Sequence, residues 1–385
     1  TAVLWLGGLA IETIAGVDIV YGMVFLGLFS IAYSLYGGLK AVAYTDIIQV
    51  VLLVFGGLVL TYISLDLVSE GNGFIAGFSI LTEQMPEKFD MIFSPDSPHY
   101  ANLPGLSVLI GGLWIMNLSY WGFNQYIIQR ALAAKDLKEA QKGIAFAAYL
   151  KLLVPFFVVI PGIAAAILFA DLERPDEAYP SLMNLMPVGL KGLVFAALVA
   201  AIVSSLASMC NSVSTIFTMD VYAHYKKNAS QSHYVMVGRI ASLVALIIAM
   251  LCARPLLGKF DQAFLYIQEF TGFFTPGIVV IFLLGMFWKT MNANGAIVAA
   301  VGSAILSFAL KFLLPTIPFM DRVGIVFLLC LALSIAVSKL TQKNSQSENS
   351  ETVSLDEISF KTETSFNVLS LAVIIILIAF YAAWW

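Results

Sequence analysis

Long apolar stretches, each about as long as a bilayer is thick, follow one another along almost the whole chain, with short polar connections between them. A hydrocarbon core of about 30 Å is crossed by roughly 20 residues of helix. That window predicts a partial apolar span at 1–15 and ten full spans, at 17–36, 46–65, 106–129, 144–170, 189–221, 235–257, 262–288, 295–314, 322–340 and 366–385. Each is expected to be helical, because a helix satisfies its own backbone polar groups where water is absent. Two connections are long. Residues 66–105 contain Pro, Gly, Asp and Ser and predict a structured external loop. Residues 340–364 are rich in Ser, Thr and Glu, and predict a flexible cytoplasmic linker that sets the last helix apart from the bundle.

Composition agrees with this pattern. Of the 385 residues 60% are hydrophobic and only 11% are charged, against about 25% charged in soluble domains, and the mean hydropathy is +0.91. The net charge of -4 and the absence of a long basic run give no sign of a nucleic-acid partner. Cys210, Cys252 and Cys330 lie far apart in apolar segments, with neither a metal spacing nor a disulfide framework, and read as packing residues. His99, His224 and His233 all fall in polar connections, which argues against histidine-led catalysis or a zinc site. No signal peptide is visible, and the sequence opens at Thr1 in apolar sequence, so its start is expected to cut through a helix.

Lys and Arg set the expected orientation. One set of alternate connections carries twelve of them: Lys40; Arg130, Lys135, Lys138 and Lys142; Lys226, Lys227 and Arg239; Lys289; and Lys339, Lys343 and Lys361. The opposite set carries seven: Lys88, Arg174, Lys191, Arg254, Lys259, Lys311 and Arg322. The richer set is expected on the cytoplasmic side, which leaves the C-terminus outside.

Polar groups inside apolar spans are costly and read as functional by default. Lys151, in AFAAYLKLLVPF, is either a buried functional cation or a lysine that snorkels to the interface. The run LWIMNLSYWGFNQYIIQR places Asn117, Ser119, Tyr120, Trp121, Asn124 and Gln125 in mid-span with Gly122 among them. It predicts a helix interrupted or lined by polar groups, as transporters use near the midplane. A ring beside amides suits a sugar, whose C–H face stacks while its hydroxyls are hydrogen-bonded. Ala201, Ser204, Ser205 and Ser208 share one helical face. Their oxygens suit a bare Na⁺, but small residues of this kind also line helix–helix contacts. In IQEFTGFFTPG, Gln268 and Glu269 precede Gly272, Pro276 and Gly277, either as a polar site beside a hinge or as a Pro-kinked structural helix. Asp46, at the start of its span, reads on its own as a dipole partner.

Together these stretches resemble the solute–sodium symporter family, and most closely its sodium/glucose and sodium/galactose cotransporter branch. The resemblance is carried by YGGLKAVAYTDIIQ (36–49), NLSYWGFNQYIIQRALAAK (117–135), FAAYLKLLVPFFVVIPG (146–162), AAIVSSLASMCNSVSTIFTMDVY (200–222), QAFLYIQEFTGFFTPG (262–277) and GMFWKTMNANGA (285–296), in order along nearly the whole chain. It implies sodium-coupled symport of a neutral monosaccharide by alternating access. Na⁺ would be the co-transported ion, with no organic cofactor. Asn117, Lys151 and Gln268 then resemble the family's sugar hydroxyl partners, Trp121 its stacking residue, Tyr120 its inner gate and Phe264 part of its outer gate. Ala201, Ser204 and Ser205 resemble its sodium site, the alanine acting through its carbonyl, and Asp46 an acid on the sodium exit path. Ala207 stands where members that bind a second sodium carry a further hydroxyl, which favours one sodium per sugar.

The implied fold is an all-α integral membrane protein with a five-plus-five inverted-repeat core and extra C-terminal helices. Residues 1–65 would be the remainder of the first repeat, lacking its first two helices and therefore incomplete for transport. Residues 66–105 would be an external loop, 106–288 the second repeat, 289–340 two peripheral helices, 341–364 a cytoplasmic linker and 365–385 a C-terminal transmembrane helix. The expected setting is a plasma membrane of the bacterial inner-membrane type. The expected partners are the sugar, sodium and the lipid bilayer, with a homodimer allowed for. A family member moving proline, a carboxylate or sialic acid is the main alternative. An ion channel would show a repeated filter segment, and a membrane-embedded enzyme would show paired intramembrane acids or a His/Cys cluster.

Overall fold

The computed structural model describes residues 1–97, 99–101, 105–258, 262–342, 353 and 361–385; the side chains of residues 35–43 are also outside the description. All regular structure in these residues is helical. In chain order the helices are α1 (Ala2–Ala15), α2 (Ile19–Val68), α3 (Phe74–Gln84), α4 (Gly105–Ile110), α5 (Gly112–Leu118) and α6 (Gln125–Leu132). Next come α7 (Leu137–Leu152), α8 (Ile160–Leu168), α9 (Ala178–Met183), α10 (Val188–Thr215), α11 (Ala223–Tyr225) and α12 (Gln231–Leu257). The last five are α13 (Ala263–Gly272), α14 (Thr275–Phe287), α15 (Ala293–Leu313), α16 (Phe319–Leu340) and α17 (Thr364–Ala383). Among the described residues eight helices are long and apolar enough to cross a membrane, and ten if each of two bent pairs is counted as one span. The chain gathers into two compact units, Thr1–Phe89 with Leu150–Ala263, and Asp90–Tyr149 with Phe264–Trp385.

In the first unit α1 ends on Gly16, whose φ of 68° gives the left-handed cap that a side chain resists. Asp18 then accepts from the Val20 amide at 2.9 Å and starts α2, so α1 and the first arm of α2 meet at a 120° bend. α2 comprises two arms, Ile19–Ser34 and Tyr44–Val68. Tyr33 is hydrogen-bonded to Thr45, twelve positions on, whereas a straight helix would hold those residues about 18 Å apart. Along the second arm, Gly56 lies against Val194 and Asp46 against Ser204 of α10. Along the first, Leu26 and Ile202 both border Gly7, while Ser34 reaches Asn211. The arms therefore run in opposite directions along α10, as two expected spans should. The expected Lys40 connection falls where side chains are not described.

The expected 66–105 loop carries the short helix α3, packed so closely on α2 that a Cβ at Gly77 would sit 1.9 Å from the Leu65 carbonyl oxygen. Pro155 removes an amide from the span holding Lys151, and a π-helical turn follows at Pro155–Val159. Thr61 donates to the Phe156 carbonyl at 2.7 Å and Tyr179 to that of Phe157 at 3.3 Å. The apolar core of this unit includes Leu60, Ala165, Leu182, Met183, Met186 and Val194.

In the second unit the span predicted at 262–288 is broken into α13 and α14, bent by 43°. Thr271 and Thr275 hydroxyls bond back to the Ile267 and Thr271 carbonyls, which bends helices, and Pro276 lacks the amide that would reach Gly272. Ser303 of α15 serves the break twice: its hydroxyl donates to the Phe273 carbonyl at 2.8 Å and accepts from the Gly277 amide at 3.1 Å. Helices α14, α15 and α16 pack through Val280, Ala299, Val326 and Cys330, which fits the packing role expected of that cysteine. Close approach depends on small residues. A Cβ at Gly277 would lie 2.3 Å from the Ala299 carbonyl oxygen, and one at Gly112 2.0 Å from that of Met320. Helix α17 buries no residue. It is held by a Lys138–Glu363 ion pair at 2.6 Å, by the Tyr149 hydroxyl donating to the Leu369 carbonyl at 2.9 Å, and by the Met91 amide donating to the Trp384 carbonyl at 2.8 Å. Most of the expected 340–364 linker lies outside the described residues.

Gly277→Ala is expected to destabilise the protein by about 1–3 kcal/mol through overpacking. Gly143→Ala, where nothing lies within 4 Å of the added carbon, should shift stability by less than about 1 kcal/mol. Melting temperatures of the two variants in detergent check the contrast.

Candidate functional site

The residues singled out in the sequence divide between the two units. Asp46, Lys151, Ala201, Ser204 and Ser205 belong to the first, and Asn117, Tyr120, Trp121, Phe264 and Gln268 to the second.

In the first unit, α10 presents Ala201, Ser204, Ser205 and Ser208 at helical spacing along one face. Ser204 and Ser208 are buried, Ala201 and Ser205 half-buried. Asp46 does more than complement a dipole, because the Ser204 hydroxyl donates to its Oδ1. The arrangement sets a carboxylate against a row of hydroxyls, the oxygen chemistry a hard cation takes. The same spacing continues one turn further to Ser212, which the sequence pattern alone did not single out; its hydroxyl is buried with no hydrogen-bond partner among the described residues. Ala207 is fully buried. Lys151 stands in the last turn of α7, with an exposed side chain. Its carbonyl is the one from which Pro155 withholds a helical amide.

In the second unit the span predicted at 106–129 is interrupted where its polar residues fall. α5 gives way to a π-helical turn over Ser119–Phe123, and Asn124 then leaves the helix at φ -93°, ψ 114° before α6 begins. The interruption positions its own side chains. Asn117 donates to the Leu113 carbonyl at 2.9 Å and accepts from the Trp121 indole N–H at 3.1 Å, so amide and ring are oriented together. The Tyr120 and Trp121 rings meet edge to face at 5.0 Å, and the Tyr126 hydroxyl, not singled out in the sequence, donates to that of Tyr120 at 3.0 Å. Trp121 is 45% exposed, which leaves ring surface for a further contact. Gln268 is half-buried and Phe264 exposed on α13, the half-helix that ends at the break.

Apolar helices broken where amides, hydroxyls and aromatic rings collect are the build of a secondary transporter. A profile of the sodium:solute symporter family matches residues 1–302. The sodium/glucose cotransporter of Vibrio parahaemolyticus is 48% identical over 403 aligned residues, which take in all of this chain and 74% of that protein. Human sodium/myo-inositol cotransporter 2 is 35% identical over 79% of this chain and 49% of its own length. Zebrafish sodium/glucose cotransporter 4 is 33% identical over 75% of this chain and 48% of its own. Thus the chain spans about half the length of these vertebrate relatives. In structure it matches a Na⁺-coupled sialic acid symporter solved in a substrate-bound outward-open state, with a TM-score of 0.69 and 24% identity over 88% of this chain and 72% of that one. The chain belongs to the sodium:solute symporter family, and its fold is that of a Na⁺-coupled symporter.

Ser204→Ala is expected to cost about 1–3 kcal/mol, because the half-buried Asp46 carboxylate loses a donor. Ser204→Thr, which keeps the hydroxyl, should recover most of that loss; thermal unfolding in detergent measures both.

Proposed function

We propose that the protein couples the inward movement of sodium to uptake of a neutral monosaccharide, of the glucose or galactose type, by alternating access. The observation that carries this reading is the 48% identity, over the whole chain, to a sodium/glucose cotransporter. In this reading sodium binds first, on the hydroxyls of Ser204 and Ser205 and the Ala201 carbonyl, and leaves inward past Asp46. Sodium need only bind one conformation better than the other for coupling to arise. A membrane potential adds about 2.3 kcal/mol per charge per 100 mV. The sugar stacks on Trp121 and bonds through Asn117, Lys151 and Gln268, while Phe264 closes the outer path and Tyr120 the inner one. A lysine, amides and an indole suit a neutral polyol, and no arginine stands among them to recognise a carboxylate, which disfavours the anionic alternatives. The buried Ala207 favours one sodium per sugar.

The protein is placed in a plasma membrane of the bacterial inner-membrane type, works as a transporter and not an enzyme, and is compatible with a homodimer. In this reading residues 1–65 are the remainder of the first inverted repeat and 106–288 form the second.

Full-length protein in vesicles should take up labelled glucose or galactose only when a sodium gradient points inward, and should discriminate against proline. Uptake of proline in preference to every sugar, or of sugar without sodium, overturns the assignment. A preference for myo-inositol would redirect it within the polyols. Ser205→Ala should raise the half-saturating sodium concentration about tenfold or more at an unchanged protein level. Unaltered sodium dependence would remove Ser205 from the site.

A further inference from the structure

Glu269 is an acid in an apolar span, and the proposed transport cycle gives it no part. In the structure its Oε1 accepts from Arg322 Nη2 at 2.8 Å and lies 3.0 Å from Lys311 Nζ. The two cations come from the ends of α15 and α16 that face each other across their connection, Lys311 in the last turn of one and Arg322 in the first turn of the other. The Arg322 side chain is only 11% exposed, and a cation in a helix's first turn opposes the helix dipole. A buried guanidinium so placed needs a counter-charge, and Glu269 supplies it. Lys311 also lies 5.8 Å from the centre of the Phe273 ring, at the break that follows α13. Gly272 brings the end of α13 close to α16, with its would-be Cβ 3.1 Å from Val323.

At its start α13 is tied by the Ala263 amide donating to Asp176 Oδ2 at 2.8 Å, but it buries few side chains. It buries only Ala263 and Gly272, whereas α14 buries Thr275, Pro276, Gly277, Val279 and Val280. Phe264 and Phe270 of α13 are 63% and 51% exposed. We propose that Glu269, Arg322 and Lys311 form a charge clamp that fixes the angle of α13 to the α15–α16 hairpin, and so positions Gln268 and Phe264 for substrate. All three are positioning residues, since they act through α13. The link to substrate rests on the transport reading above; the clamp itself does not.

The test therefore has two readouts, on full-length protein in vesicles. The first is the distance between spin labels on α13 and α15, at Phe270→Cys and Phe312→Cys, in a background without the native cysteines. The distribution should be narrow in the parent and broad in Glu269→Gln. It should narrow again when Glu269→Arg and Arg322→Glu are combined in a Lys311→Gln background. High salt should broaden the parent's distribution only slightly, because Arg322 is shielded from solvent. The second readout is uptake. Glu269→Gln should raise the half-saturating sugar concentration about threefold or more, with a smaller effect on maximal rate, and the charge reversal should restore it. An unchanged distance distribution in Glu269→Gln overturns the clamp. So does a broadening that the reversal fails to rescue in protein that still elutes as a folded species. If no sugar is taken up at all, the transport reading fails while the distances still decide the clamp.

Discussion

Inside a bilayer a backbone amide or carbonyl released from a helix has no water to bond with, and an unsatisfied group there costs several kcal/mol. Transport proteins nevertheless break helices to expose polar groups, so each break needs a partner from a neighbouring helix. Two of the breaks in this chain draw hydroxyls from neighbouring helices. Pro276 and the threonines before it open the span at 262–288, and Ser303 both donates to the Phe273 carbonyl and accepts from the Gly277 amide. Pro155 opens the span that holds Lys151, and Thr61 and Tyr179 donate to the two carbonyls just past it. Close packing follows from the same need, because a hydroxyl two atoms long reaches a foreign backbone only where the helices nearly touch. The glycine that admits Ser303 to the break before Pro276, Gly277, would place a Cβ 2.7 Å from that serine's own Cβ.

This dependence explains why a serine in such a chain is ambiguous in sequence. Ser303 supports a break, Ser242 donates to the Cys210 carbonyl at 2.8 Å, and Ser204 turns to a carboxylate. The residue type and the apolar surroundings are the same in all three. What separates them is the partner, which in each case lies on another helix. Among these three, the Asp46–Ser204 pair is the one that brings a formal charge to its helix face, and a carboxylate beside hydroxyls is what the proposed cation role asks for. In the family resemblance both residues stood near the sodium path, but nothing in their spacing of 158 positions could pair them.

The spans themselves were legible because hydropathy reports directly on the local cost of exposing each residue to lipid. The breaks were legible too. Pro276 with its glycines, and Gly122 with the amides around Asn117, each announce a local defect in the helical ladder, and the structure places a bend beside the first and a π-helical turn beside the second; the π-helical turns at Pro155–Val159 and Ile216–Tyr222 were not singled out. What could not be read was whatever closes a long loop in sequence: Thr61 serving Phe156, Ser34 donating to Asn211, and α10 as the helix along which both expected spans of α2 pack. Lys311 and Arg322 are the sharpest case. Counted as loop charges, they helped only to set orientation; in the fold they are the partners of an acid that had looked isolated.

The two halves of the broken span are secured by interactions of different strength, and that difference sets where the chain yields first. Freeing α14 would strand the Phe273 carbonyl and the Gly277 amide in an apolar setting, at about 1–3 kcal/mol for each unmet group, and would undo the packing of Val279 and Val280, both fully buried. Freeing α13 exposes few apolar groups. It is held at its start by the Ala263 amide donating to Asp176 and towards its end by the ion cluster, in which Lys311 is 39% exposed and Glu269 31%. Pairs so open to solvent contribute about 0–1 kcal/mol, and only the shielded Arg322 raises the figure. The half-helix that carries Gln268 and Phe264 is thus the weaker-held one, while the half beneath it is fixed by hydrogen bonds that have no substitute. A hinge with one rigid and one releasable side follows from the two kinds of bond, without any softness in the backbone between them.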